Sequence, residues 1–473
     1  MPSSHADTTR PTGRTDGRTD GRTVAAVTRL TAPKADAARV ADSGRRAASA
    51  AAVLRAVLDH GPIARSTIAR ITGLSPASLT SHCTELTRLG LLRELPGEVR
   101  SNGAGRPHVP VDIDTSRHLV AAVHIAVRWT TTALIDLRGR VVARSLTLHD
   151  STDPARVVER AANSLDALYA SHAASTSTST SASTAVSVSA SAAHAPPHAT
   201  QHTKAVRPLG IGVATGGWVD PESGVVMDHP RLGWSLVPLR DRLAERTGLP
   251  VHLDGHSRAL LHAEVLFGRA SRAGSVLHVF VGNVVDAAFA TRGEAHYGPR
   301  AQAGAIAHFP VEGSREPCSC GRTGCLEATV SEHTLTRRAH ERGVIADPDI
   351  RLLLAAARAG NQGAIELFVE RSRLIGRAVA LLMDVFGPEI AIVMEPSLPY
   401  LPAALAALRS AARENVRTVC DVDNMLIPTS FPGAVLETAG GAVFLDALYR
   451  NPLAFEELIN SEDCNVDTTG RSR

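Results

Sequence analysis

Three cysteines fall within eight residues, in the stretch CSCGRTGC from Cys318 to Cys325, in a chain of 473 residues that carries six in all. Thiols so closely spaced support three chemistries: a redox pair, a structural disulfide or a metal site. The N-terminal stretch MPSSHADTTRPTGRTDGRTDGRT has no apolar segment, and no later apolar run of about 18 residues is free of charge, so neither a signal peptide nor a membrane span is expected. A cytoplasmic chain follows. In that reducing compartment a disulfide framework is the minor reading, and metal binding and redox chemistry remain.

The elements that position these cysteines belong to a chain of several parts. Residues 1–44 repeat GRTDGRT and carry almost no large apolar side chains, which predicts a disordered basic arm. A second low-complexity tract, 171–204, is rich in Ser, Thr and Ala and reads as a disordered insertion. Its His194, His198 and His202 have the alternative of a metal tract, but a stretch with no aromatics or cysteines and with two prolines favours a surface insertion. From 113 to 450 strand-like and helix-like segments alternate: LVAAVHIAV, PLGIGVAT and PVHLD as strands, LVPLRDRLAERTG and SRALLHAEVLFG as helices. Such alternation predicts an α/β domain of sheets covered by helices. Residues 451–473 read as a flexible tail.

Residues 45–112 differ in kind. RRAASAAAVLRAVLDHG, ARSTIARITG and SPASLTSHCTELTRLG predict three helices, the last two joined by Gly73, Leu74 and Ser75, the short turn of a helix-turn-helix. Ser75 suits the N-cap and Pro76 the first turn. Leu79, Cys83, Leu86 and Leu89 recur at helical spacing and predict the buried stripe, leaving Ala77, Ser78, Ser81 and His82 outward near the N-terminal end, where a recognition helix meets bases. LLRELPGEVR then reads as a hairpin wing. Nine arginines stand against Asp59, Glu85, Glu94, Glu98 and Asp112, a local excess of four positive charges over these residues, although the whole chain carries only +3. Such a balance suits a phosphate backbone, with Ser75, Arg88, Arg100 and Arg106 as further contact candidates. A solvated helical interaction module is the bland alternative.

GPIARSTIARITGLSPASLTSHCTELTRLGLLRE followed by GAGRPHVPVDID resembles the winged helix and linker of ROK-family transcriptional regulators (repressor, open reading frame, kinase). The likeness continues through LGIGVATGGWVDPESGVVMDHPRLGW, LLHAEVLFG and His308 followed by CSCGRTGCLE. It implies a winged helix-turn-helix followed by a two-lobed, actin-like (ribonuclease H-like) domain, shared by sugar kinases and by sugar-responsive regulators. It also supplies the fourth partner of the cysteines: His308 with Cys318, Cys320 and Cys325 makes a closed tetrahedral set for one structural Zn2+ per chain. A CxC redox pair explains neither the third cysteine nor the histidine.

Several family positions are altered. The Asp and glycine turn that cradle ATP phosphates become His124, Ala126 and Val127, and the second phosphate turn reads GNVVDAAF from Gly282 with one glycine left. His256 stands at the position of the catalytic base. In GAIAH, Ala305 replaces the glutamate that grips sugar hydroxyls, while His308 and Glu327 match family ligand contacts. These substitutions predict a regulator, a repressor, without kinase activity and with an altered or lost ligand site, in which His256, His308 and Glu327 are the weak ligand candidates. Implied partners are double-stranded DNA with an inverted-repeat operator, a second copy of the chain, and a small-molecule effector. A sugar kinase that retains ATP or ligand binding, and a DNA-binding scaffold without ligand, are the alternatives.

Overall fold

The computed structural model describes residues 34–96, 109–179, 207–418 and 421–464. Arg100, Arg106, His194, His198 and His202 lie outside them. The chain divides into two compact units, Met1–Arg45 and Arg46–Arg473, and every contact described below lies within the second. Helix α1 (Lys34–His60) begins inside the segment read as a disordered arm, in a sequence rich in alanine, the residue with the highest helix propensity.

α2 (Arg65–Thr72) stops at Gly73, whose φ of 69° is left-handed and whose amide donates to Ala69 O at 2.8 Å. α3 (Pro76–Arg88) starts at Ser75, whose hydroxyl accepts from the Ser78 amide at 3.2 Å. Val53, Leu54, Ile68, Leu79, Cys83 and Leu86 form the core beneath these helices. β1 (Leu92–Glu94) pairs antiparallel with β2 (Val111–Ile113), so the wing's second strand comes from 111–113 and not from within LLRELPGEVR as expected. Pro96, which has no amide to donate to a ladder, follows β1 too closely for a tight hairpin.

Two lobes then repeat one plan. In the first, β3 (Leu119–Ile125), β4 (Trp129–Asp136) and β5 (Val141–Leu148) form an antiparallel meander, and α4 (Pro154–Ser179) follows, running into the tract read as a disordered insertion. β6 (Ile211–Thr215) lies parallel to β3. A small sheet of β7 (Trp218–Asp220), β8 (Val225–His229) and β9 (Trp234–Val237), then α5 (Leu239–Thr247), lead to β10 (Val251–Gly255), parallel to β6. The order is β10-β6-β3-β4-β5.

In the second lobe, after α6 (His256–Phe267), come β11 (Ser275–Val281), β12 (Val285–Thr291) and β13 (Glu294–Ala295), then the helices α7 (Leu326–Val330), α8 (Glu332–Glu341), α9 (Ile350–Arg358) and α10 (Gln362–Phe386). β14 (Ile390–Met394), α11 (Pro402–Asn415), α12 (Val422–Met425) and β15 (Leu426–Pro428) complete the order β13-β12-β11-β14-β15. A meander extended by parallel strands, twice over, is the actin-like arrangement expected. Strands buried on both faces need continuous apolar runs, and β3 is buried at all seven positions, whereas the edge strand β5 alternates.

α13 (Val435–Arg450) crosses back onto the first lobe. It comes so close that a Cβ on Gly212 would stand 2.0 Å from Gly440 O, which only paired glycines permit. The chain end is not a free tail from 451: Phe455, just before α14 (Glu456–Cys464), and Ile459 within it pack into the same apolar cluster as Val53, Leu86 and Leu448. Those two large apolar side chains could not be left in water without losing their burial energy. Among the described residues no helix is long and apolar enough to cross a membrane.

Candidate functional site

At the winged helix, the capped start of α3 leaves Ala77 and Ser81 exposed and Ser78 half-buried, with Thr80 and Thr84 exposed on the same helix. His82 does not point outward as expected. It is 7% exposed and belongs to the inner face, one helical turn after Ser78 and beside Cys83 in the packed stripe. Much of the basic charge is already engaged: Arg46 with Glu85, Arg55 with Asp59, Arg65 with Glu94. Arg88 pairs with Glu456 and donates to Asn460 Oδ1 at 3.2 Å, so it faces α14. Sequence reasoning missed Thr80, Thr84 and the exposed Arg70 at the end of α2, because spacing alone does not say which cations find internal partners.

The zinc-type ligands do meet. His308, Cys318, Cys320 and Cys325 bring one ligand atom each to within 4.8 Å of one another. Cys318 Sγ lies 3.6 Å from His308 Nδ1 and Cys320 Sγ 3.7 Å from Cys325 Sγ. Tetrahedral coordination with metal to sulfur bonds of about 2.3 Å requires edges of about 3.8 Å, so the set fits a zinc-sized ion. A hydrogen bond from Arg322 Nε, at 3.5 Å, lowers the Cys320 thiol to about 6, toward the thiolate a metal binds. Backbone turns build the loop: the Cys318 amide donates to Arg322 O and the Val311 amide to Gly324 O, both at 2.8 Å.

Beside this loop the cleft holds a cavity of about 530 Å³, lined among others by Trp218, Arg231, Asp286, Ala305, His308 and Glu327. Glu327 accepts from the Val285 amide at 3.2 Å, and Arg231 stands 3.8 Å away; burial pushes the carboxyl above its ordinary range. Burial also raises Asp286, up to about 6, although it accepts a hydrogen bond from Ser257. Asp286 was not singled out from the sequence, where GNVVDAAF reads only as lost glycines. His308 and Glu327 thus meet in one cavity. His256, expected with them, does not line it.

His256 turns instead toward the former phosphate side. Its ring stacks on His124 with centroids 4.4 Å apart and planes 17° apart, and meets Phe280 at 4.8 Å. Burial drives the His124 pKa down to about 3 and that of His256 well below its ordinary value. An imidazole that resists protonation so strongly is a poor general base near neutral pH. Ala126 and Val127 line a smaller cavity next to this pair, where family kinases would place glycines.

A winged helix-turn-helix joined to a duplicated actin-like domain, with one histidine and three cysteines gathered at its cleft, defines a transcriptional regulator on an actin-like fold. This chain belongs to the ROK family. The ROK family profile matches residues 163–432. A transcriptional regulator of Mycobacterium tuberculosis is 32% identical over 440 residues, covering 89% of this chain and 90% of the relative. The DNA-binding transcriptional repressor Mlc of Escherichia coli is 23% identical over 419 residues, covering 86% and 94%. The crystal structure of a ROK-family transcriptional regulator, a homologue of the Escherichia coli protein, superposes with a TM-score of 0.67 at 21% identity, over 88% of this chain and all of that one.

Proposed function

We propose that this ROK-family protein is a sequence-specific DNA-binding transcriptional regulator, a repressor, that acts as a dimer on an inverted-repeat operator and carries one structural zinc per chain. The observation that carries this reading is α3: a capped helix after a left-handed Gly73, presenting small polar side chains at its exposed N-terminal end, behind a strand-paired wing. Relatives named as transcriptional regulators along nearly the whole chain support it. The zinc reading rests on four protein ligands, which leave no open coordination position for a water and so suit a bracing role at the cleft loop.

Kinase activity is not part of the proposal. His124 and His256 are stacked in apolar contact where phosphate chemistry would need a glycine cradle and a carboxylate. Recovery of genomic fragments bound by the protein at about 0.15 M salt, where non-specific binding is weak, tests the regulator. A shared inverted repeat among them supports it; random fragments, with ATP turnover by the same preparation, overturn it in favour of the kinase.

A further inference from the structure

α10 is the longest helix of the second lobe, and its inner face is fixed. Leu367, Phe368, Ile375, Val379, Leu382 and Met383 lie in the lobe core. Gly376 lets α11 approach so closely that a Cβ there would stand 2.4 Å from Leu408 O, and the buried Arg371 donates to Glu395 at 2.7 Å. Packed this tightly, the helix cannot turn about its axis to hide another face.

Yet a second apolar stripe runs along its outer side. Leu374, Ala378, Leu381 and Val385 recur at spacings of four, three and four, the pattern of a helix seam. Leu374 and Ala378 are half-buried at the margin of the core, but Leu381 is 58% and Val385 74% exposed. Beside Leu374 a groove of about 560 Å³ opens, walled by Val311, Arg337 and Arg338. At the other end Phe386 stacks on Phe289 with ring centroids 4.8 Å apart and extends the apolar surface.

The spacing and the charges say what fits. Two such helices laid antiparallel about a two-fold axis between Val379 and Ala380 bring Leu374 opposite Val385 of the other copy, and the small Ala378 opposite the large Leu381. The same register sets Arg377 beside Asp384 of the other copy, twice over. Arg377 is exposed and forms no ion pair among the described residues. Asp384 accepts from the Arg417 and Thr418 amides at 3.0 and 2.9 Å, which hold its carboxylate at the rim of the stripe. A parallel pairing would bring neither charge to the other.

We propose that α10 pairs antiparallel with α10 of a second copy of this chain, through Leu374, Ala378, Leu381 and Val385 and through two ion pairs from Arg377 to Asp384. The inference rests on the dimer reading above and names its interface. None of these residues belongs to the winged helix or lines either cavity, so both DNA faces stay open for a two-fold operator.

Sedimentation equilibrium on the full chain tests the interface. Leu381→Asp, at a position exposed in a single copy, should keep the circular dichroism spectrum and raise the dimer dissociation constant about a hundredfold by placing an unpaired charge in the seam. Arg377→Asp and Asp384→Arg should each weaken the dimer about tenfold by setting like charges together, and an equal mixture of the two should regain the parent's affinity. A merely structural role for either residue would give no such recovery. A full-strength Leu381→Asp dimer, or a mixture no tighter than its components, would overturn this interface and leave a dimer held elsewhere. A parent chain that stays monomeric would overturn the dimer reading and the interface together.

Discussion

Arg55 on α1 donates from Nη2 to Val265 O at 2.7 Å, near the end of the helix that opens with His256. The same nitrogen reaches Ser271 O at 3.0 Å, while Nε is held by Asp59. α6 is buried from His256 to Leu266, so the winged helix is fastened to the far end of a rod whose near end lies at the cleft. Asp112 with Arg138, and His118 with Leu89 O at 2.8 Å, add further ties.

Arg55→Ala removes both carbonyl contacts and leaves them unpaired, at a cost of about 1–3 kcal/mol discounted for the residue's partial exposure. In calorimetry the winged helix should then melt ahead of the two lobes. One unchanged cooperative transition would show that Arg55 does not fasten the head.

Substituting Cys320→Ser takes one thiolate from the tetrahedral set. Bound zinc, measured by elemental analysis, should fall from about one ion per chain, and the melting temperature should fall with it. Unchanged zinc content would remove the metal assignment.

The neutral histidines make stability depend on acid. A group whose folded pKa lies below its unfolded value contributes fully above the unfolded value, near 6.5 for histidine, and loses that contribution as pH falls toward the folded value. For His124, folded at about 3, the loss at pH 5 is about 2 kcal/mol. His278 and His229 are shifted the same way, so the whole protein loses more. Denaturant titrations of His124→Phe between pH 7 and 5 should show a slope flatter than that of the parent; equal slopes would mean that His124 is not buried as described.

Ile459→Ala should destabilise the winged helix by about 2–4 kcal/mol, since the side chain is 1% exposed in the core it shares with Leu86. If truncation after residue 451 leaves urea unfolding of the head unchanged, α14 plays no part in it.

At the proposed DNA face, Arg70→Ala should weaken binding evenly across sequences and reduce the salt slope by about 1, whereas Ser81→Ala should relax discrimination at one operator position. His82→Ala should lower stability first, because the ring lies inside. Fluorescence anisotropy across a salt series distinguishes these outcomes.

What lay in the sequence was whatever local pattern dictates. The Gly73 turn, the Ser75 cap, the Leu79 to Leu89 stripe and the alternation of strand and helix each depend on neighbours a few residues apart, and each appears in the structure. The cysteine loop was legible for the same reason: three of its four ligands lie within eight residues. Tertiary structure decided the rest. His82 could be placed inside or outside only once the helix had found its packing partners, and Arg88 was claimed by Glu456, 368 residues away. His256 followed the same logic: the family alignment put it at a catalytic position, but its contact with His124, from a distant strand, turned it away from the His308 and Glu327 cavity. Composition marked the chain end as flexible, yet burial of Phe455 and Ile459 against the winged helix overrode that preference. Periodicity records which residues can be buried; only the assembled lobes determine which cations, rings and carboxyls meet, because those pairings join segments that no local spacing connects.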